Sequence, residues 1–171
     1  MKKHFLSTSI ASVFFLVFFC NCSFSDKSEG ENYLLFELIR TNKSKEAIIF
    51  IQSNEIDINS IDDRGLQPEN DNLLIASARN NNVELVKLLI DKGVNINYQN
   101  NDGFTALMRA LQYNNYDIAK LLIESGANIK LKNCLGEDAI KIVNERAQIK
   151  DGKPLFKDRY LFMKYMENKV K

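Results

Sequence analysis

Between Asp102 and Lys130 the chain carries two apolar stripes at helical spacing, separated by a polar break. Leu107, Ala110 and Leu111 recur three and four residues apart, Asn114-Asn115 interrupts them, and Ile118, Leu121 and Leu122 resume the spacing. The second stripe stops just before Gly126, and glycine suits the left-handed backbone that follows many helix C-termini. The pattern predicts two short antiparallel helices with a turn at each end. Leu121 and Leu122 are both expected in the core.

The pattern returns at a fixed interval. Thr105 follows Asn72 by 33 residues, and Asn72 to Asn97 repeats the design. Leu74, Ser77 and Ala78 line one helix, Leu85, Leu88 and Leu89 the next, and Gly93 closes it. Gly136 follows Gly103 by another 33 and opens a unit with Ala139, Ile140, Ile142 and Val143. Upstream, Asn97 follows Asn59 by 38, five more than the period. The excess falls at Gln67–Asp71, where Pro68 sits among Glu, Asn and Asp, so it reads as an enlarged hairpin tip, a tolerated surface insertion. The first unit is degenerate: Leu35, Phe36, Leu38 and Ile39 form its first helix, and Ala47, Ile48, Phe50 and Ile51 its second. Glu55 stands where later units have Gly, so Asn54 is expected to supply the left-handed turn. Arg40, Lys43, Lys45 and Glu46 suit an end unit whose outer side meets water, while Ile49 points outward without a reason in the pattern. In the last unit the first helix is expected to run on toward Ile149, Asp151–Pro154 to break it, and Leu155–Glu167 to form a final helix. Its aromatics Phe156, Tyr160, Phe162 and Tyr165 are expected to cap the stack rather than line a ligand box.

In its best-formed unit the chain resembles the ankyrin repeat. The matching residues are Asp102-Gly103, Thr105-Ala106-Leu107, Ala110, Asp117-Ile118-Ala119-Lys120-Leu121-Leu122-Ile123 and Gly126-Ala127-Asn128-Ile129. The resemblance implies an all-α solenoid of about four helix-turn-helix repeats with hairpin-like loops between them, at 31–62, 63–99, 100–132 and 133–168. Pro and His of the family's Thr-Pro-Leu-His turn are absent: Leu73 and Ile75 replace them in the second unit, Ala106 and Met108 in the third. That turn hydrogen-bonds neighbouring repeats in the family, so the departures bear on local stability rather than on the fold.

The first 21 residues have a different character. Met1-Lys2-Lys3-His4 precedes an apolar run from Phe5 to Phe19, and Cys20-Asn21-Cys22-Ser23 follows. A basic start, a short apolar core and small residues after it describe a secretory signal, and the run is shorter than the roughly 18 residues a membrane span requires. A cysteine at its end resembles a bacterial lipoprotein signal, with Cys22 as the acylated first mature residue and Cys20 the less suited alternative. An ordinary signal peptide cut nearby and a retained signal-anchor are the other readings. Residues 22–30 then read as a lipidated polar tether, rich in serine. The expected location is the bacterial cell envelope, lipid-anchored, or periplasmic or secreted without the lipid.

Composition narrows the chemistry. The net charge of +1 carries no basic excess that would suggest nucleic acid. Removing the signal takes Lys2 and Lys3, leaving 21 basic against 22 acidic residues, about −1. The only histidine, His4, goes with the signal, so the mature chain has no imidazole base or metal ligand. Gly126 and Gly136 are cap and turn glycines rather than a phosphate loop, and Cys134 stands alone. Neither catalysis, a cofactor, a metal nor a small-molecule substrate is expected.

The resemblance implies that a protein partner is held on the hairpin tips and the inner helix face. Carried over by position, the variable slots are Gln99, Asn101, Asp102, Phe104, Gln112 and Tyr113 in the third unit and Arg79 and Asn80 in the second. Glu145 and Arg146 take them in the fourth unit, and Thr41 and Asn42 in the first. Phe104 and Tyr113 are aromatics at positions with no core duty, the material of binding hot spots. The expected function is a membrane-tethered, extracytoplasmic protein-binding module. A structural envelope lipoprotein, or a regulator or protector of an enzyme in the same compartment, is the alternative.

Overall fold

The computed structural model describes residues 27–62, 70–146, 149–150, 153–154 and 157–170. The expected signal peptide with Cys20 and Cys22, most of the tether and residues 67–69 of the insertion lie outside them, as do Phe156 and the side chains of Tyr160 and Arg146. The chain divides into two compact units at Gly30/Glu31, and the second holds the repeats.

Eight described helices follow in pairs: α1 (Lys27–Arg40), α2 (Ser44–Ser53), α3 (Leu73–Arg79), α4 (Val83–Asp91), α5 (Ala106–Gln112), α6 (Tyr116–Glu124), α7 (Ala139–Arg146) and α8 (Lys157–Val170). α3, α5 and α7 pack side by side as an inner row, and α2, α4 and α6 form an outer row behind them. Within the units α3 packs on α4, α5 on α6 and α7 on α8. No pair could bury its apolar stripe alone, so the core is continuous from Leu35 through Leu74, Leu107 and Ile118 to Phe162 and Met166.

Three devices repeat and hold the period. At each inner-helix N-terminus a side chain accepts from the backbone amide three residues on. Asn72 takes Ile75 N, Thr105 takes Met108 N and Asp138 takes Lys141 N, which satisfies a donor the helix cannot. Two residues past the ends of α1, α3 and α5 an asparagine adopts positive φ, Asn42, Asn81 and Asn114. At the ends of α4 and α6 the residue is glycine: Gly126 N donates to Ile123 O and Ala127 N to Leu122 O, and Gly93 and Val94 make the same pair. At the hairpin bases Asn100 N donates to Phe104 O and Asn133 N to Glu137 O. Asp62 N to Asp71 O is the same bond in the enlarged hairpin, which brackets the insertion between those two residues.

Several sequence expectations change. Lys27–Gly30, assigned to the tether, are helical. Asn54 is extended at φ −129, not left-handed, and its Nδ2 donates to Phe50 O at 2.8 Å instead. Leu121 is only partly buried, because the stripe that faces the core is Ile118, Ala119 and Leu122. The helix of the fourth unit is described as far as Arg146, and Ile149 lies in a strand rather than on that helix. Ile149–Lys150 pairs antiparallel with Lys153–Pro154, and the Asp-Gly between them is the sequence that a two-residue hairpin loop prefers. The last helix is described from Lys157 to Val170, and residues 155–156 of its expected span lie outside the described residues. Of the expected aromatic cap, Phe162 is buried and stacks on Tyr116 at 5.2 Å, with Tyr165 tilted against it at 5.4 Å.

Candidate functional site

The left-handed asparagines set the register of the inner row. Asn42, Asn81 and Asn114 each follow their helix by two residues, so Arg40, Arg79 and Gln112 share one slot, and Thr41, Asn80 and Tyr113 the next. This corrects the first unit by one residue: Arg40 and Thr41, not Thr41 and Asn42, occupy the inner-helix slots. Thr41 fits the place, since its Oγ1 donates to Glu37 O four residues back as Asn80 Nδ2 donates to Ala76 O. The extra residue lies between Asn42 and the hairpin, where α2 has ten residues against nine in α4 and α6.

Arg79 is not a free cation. Its Nη1 meets Asp71 Oδ2 at 2.9 Å, and Asp71 is almost fully buried and also accepts from Asn100 Nδ2 at 2.7 Å. Asp71, which closes the enlarged hairpin, therefore ties it to the inner helix and to the next hairpin. Tyr98 adds to this, donating its hydroxyl to Asn70 O. Burial first, and the Asp71 charge second, push the Tyr98 phenol above its ordinary value. The Asn100 donor gives the Asp71 carboxylate a second partner, as a charge this deep requires.

In the third unit Phe104 is half-buried rather than exposed, and packs against the core. Arg109 is the cause. Its guanidinium lies 4.0 Å above the Phe104 ring, and its Nη1 donates to Gln112 Oε1 at 2.8 Å. Phe104, Arg109 and Gln112 thus form one inner-face cluster, with the arginine buried at its centre. Tyr113, at the end of α5, stands clear with half its surface (51%) in solvent. Gln99 is spent on structure, its Nε2 donating to Gly103 O and across to Lys132 O. Asn101 and Asp102 are exposed at the tip, but their carbonyls accept from Cys134 Sγ and Cys134 N respectively. Glu145 is exposed and faces Lys141 at 3.5 Å, a solvated pair of small energetic weight.

Sequence reasoning missed three residues. Asp71 and Arg109 carry a signal, as charges in otherwise apolar surroundings, one next to an N-cap and one inside a buried stripe. Leu135, at the fourth hairpin tip, is 73% exposed and stands beside exposed Cys134. A recess between α1 and α3, lined by Phe36, Ile39, Arg40, Asp71, Ala76 and Arg79, has room for about one water at ≈ 10 Å³, too little for a metabolite. No group of three metal-ligating side chains occurs among the described residues. Among them no helix is long and apolar enough to cross a membrane.

A row of stacked helix pairs with a polar inner face and projecting hairpin tips belongs to the class of repeat proteins that act as interaction modules. The family model described as ankyrin repeats in three copies matches residues 10–133, and the chain belongs to that family. It is 40% identical over 68 residues to a putative ankyrin repeat protein of Acanthamoeba polyphaga mimivirus. The match takes in 40% of this chain, which spans only 40% of the length of that relative. The crystal structure of the ankyrin repeat domain of Bcl-3, described as a unique member of the IkappaB protein family, superposes with a TM-score of 0.57 at 21% identity. It covers 77% of this chain and 50% of that one, and supports the shared fold.

Proposed function

We propose that the protein is a membrane-tethered, extracytoplasmic binding module that holds one protein partner on its inner face and hairpin tips. Tyr113 carries the reading: a large aromatic, half in solvent, directly beside the Phe104–Arg109–Gln112 cluster, at a slot that the stacking leaves free. Asn101, Asp102 and Leu135 extend the surface to the tips. The module works by binding rather than by chemistry, with acyl chains on Cys22 holding it in the envelope. Stable attachment needs two or more chains, since one gives marginal binding.

The test separates surface from anchor. Tyr113→Ala, which touches no core contact, is expected to abolish recovery of the partner by crosslinking in intact cells while the denaturation midpoint stays unchanged. Undiminished recovery would remove Tyr113 from the surface. Cys22→Ser is expected to move the protein from the membrane to the soluble fraction, and persistence in the membrane would refute the lipid.

A further inference from the structure

The N-terminal unit exposes apolar residues where the interior units expose charge. The solvent-facing positions of α4 are Glu84, Lys87 and Asp91, and those of α6 are Asp117, Lys120 and Glu124. The corresponding stripe of α2 is Lys45, Ile49, Gln52 and Ser53, with Ile49 51% exposed. On α1, Tyr33 is 40% exposed, and Leu34 is only partly buried in the slot where Leu73 of the second unit is fully covered. Among the described residues no earlier repeat covers this end of the stack.

The length of chain before α1 identifies what does. Cys22 and Lys27 are five residues apart, which spans at most about 18 Å fully extended. Six further residues of helix bring Tyr33 within roughly 9 Å more along the axis. The opposite end carries an equally exposed apolar residue, Leu161 on α8, but successive helices add about 8–10 Å each, which puts it beyond that reach. An acyl-bearing Cys22 therefore keeps the first unit closest to the headgroup layer.

We infer that the exposed side of α1 and α2, with Ile49 and Tyr33 as its apolar contacts, rests on the lipid surface that carries the anchor. Ile49 meets the acyl boundary, Tyr33 places its ring at the interface, and Lys45 extends its stem so that its ammonium reaches anionic headgroups. The inner row and the hairpin tips of the third and fourth units then face away from the bilayer, available to a partner. This inference rests on the lipidation of Cys22 proposed above.

The test uses the full-length acylated protein in vesicles of phosphatidylethanolamine and phosphatidylglycerol. In a Cys134→Ser background, Ile49→Cys and Leu161→Cys carry the same environment-sensitive fluorophore, and lipids brominated along the acyl chain serve as quencher. Quenching at position 49 severalfold stronger than at 161 is the expected result. Equal, weak quenching at both positions in protein that floats with the vesicles overturns the docking while leaving the anchor intact. Protein that does not float refutes the lipidation and takes the docking with it. Disulfide crosslinking between two unlabelled molecules of the Ile49→Cys variant, in place of quenching, makes a second copy the occupant and equally overturns the proposal.

Discussion

Gly103 and Gly126 both lie at positive φ, +75 and +92, yet they answer different needs. At Gly126 a Cβ would meet nothing within 4 Å, so only the backbone conformation asks for glycine. At Gly103 it would meet Asn133 Cα at 2.9 Å and Cys134 N at 3.1 Å, backbone of the next hairpin that cannot swing aside. Gly126→Ala is expected to cost about 1 kcal/mol. Gly103→Ala should cost about 2–4 kcal/mol, the same strain plus the overpacking of two hairpins. Urea denaturation of both variants checks this, and equal costs would mean that the hairpins do not approach as described. Residue 70, equivalent to Gly103, is Asn70 at φ +50, tolerated because asparagine enters the left-handed region more readily than other side chains.

Among the outer helices the amphipathic stripe is narrower than the run of leucines suggests. In α6 the fully buried positions are Ile118, Ala119 and Leu122, and Leu121 sits on the border of the stripe. Leu122→Ala is therefore expected to cost about 2–5 kcal/mol as a buried truncation, and Leu121→Ala clearly less. A calorimetric or urea comparison decides it, and the reverse order would rotate the helix by about 100° from the orientation described. The inner helices behave differently, since α3 and α5 bury every residue from Leu73 to Ala78 and from Ala106 to Leu111. Even Arg109 is drawn in, with its guanidinium over Phe104 and Gln112 accepting from it. Periodicity places Arg109 on a helix. It does not say that the side chain folds back over the neighbouring aromatic, because that depends on a residue on the hairpin side of the N-cap.

Across the whole molecule each repeat is held by its neighbours, and the joints are not alike. The second and third units share Asn100 to Asp71, Asn115 to Ala78 O and Asn97 Oδ1 to Asn128 N. The last unit closes the stack through Phe162 on Tyr116. Phe162→Ala is expected to cost about 3–5 kcal/mol by cavity formation. In native-state hydrogen exchange it should release the amides of α7 and α8 before those of α3 and α5, as nearest-neighbour coupling requires. Uniform loss of protection in all units would indicate a single cooperative block instead.

Much of this is legible in the sequence. The 33-residue interval and the glycines after α4 and α6 are local requirements that a chain writes in order, so they can be read without coordinates. The five-residue excess falls within the hairpin that runs from Asp62 to Asp71. What tertiary structure alone decides are the residues whose role depends on a partner far along the chain. Arg79 is an ion-pair partner of Asp71, Gln99 a tie to Lys132, and Phe104 the cover of a buried arginine. Of Phe104, Gln112 and Tyr113, only Tyr113 stands open to solvent. The reason is physical: spacing determines which face of a helix a residue occupies, but whether a polar group on that face is free depends on what the adjoining repeat brings within about 3 Å of it.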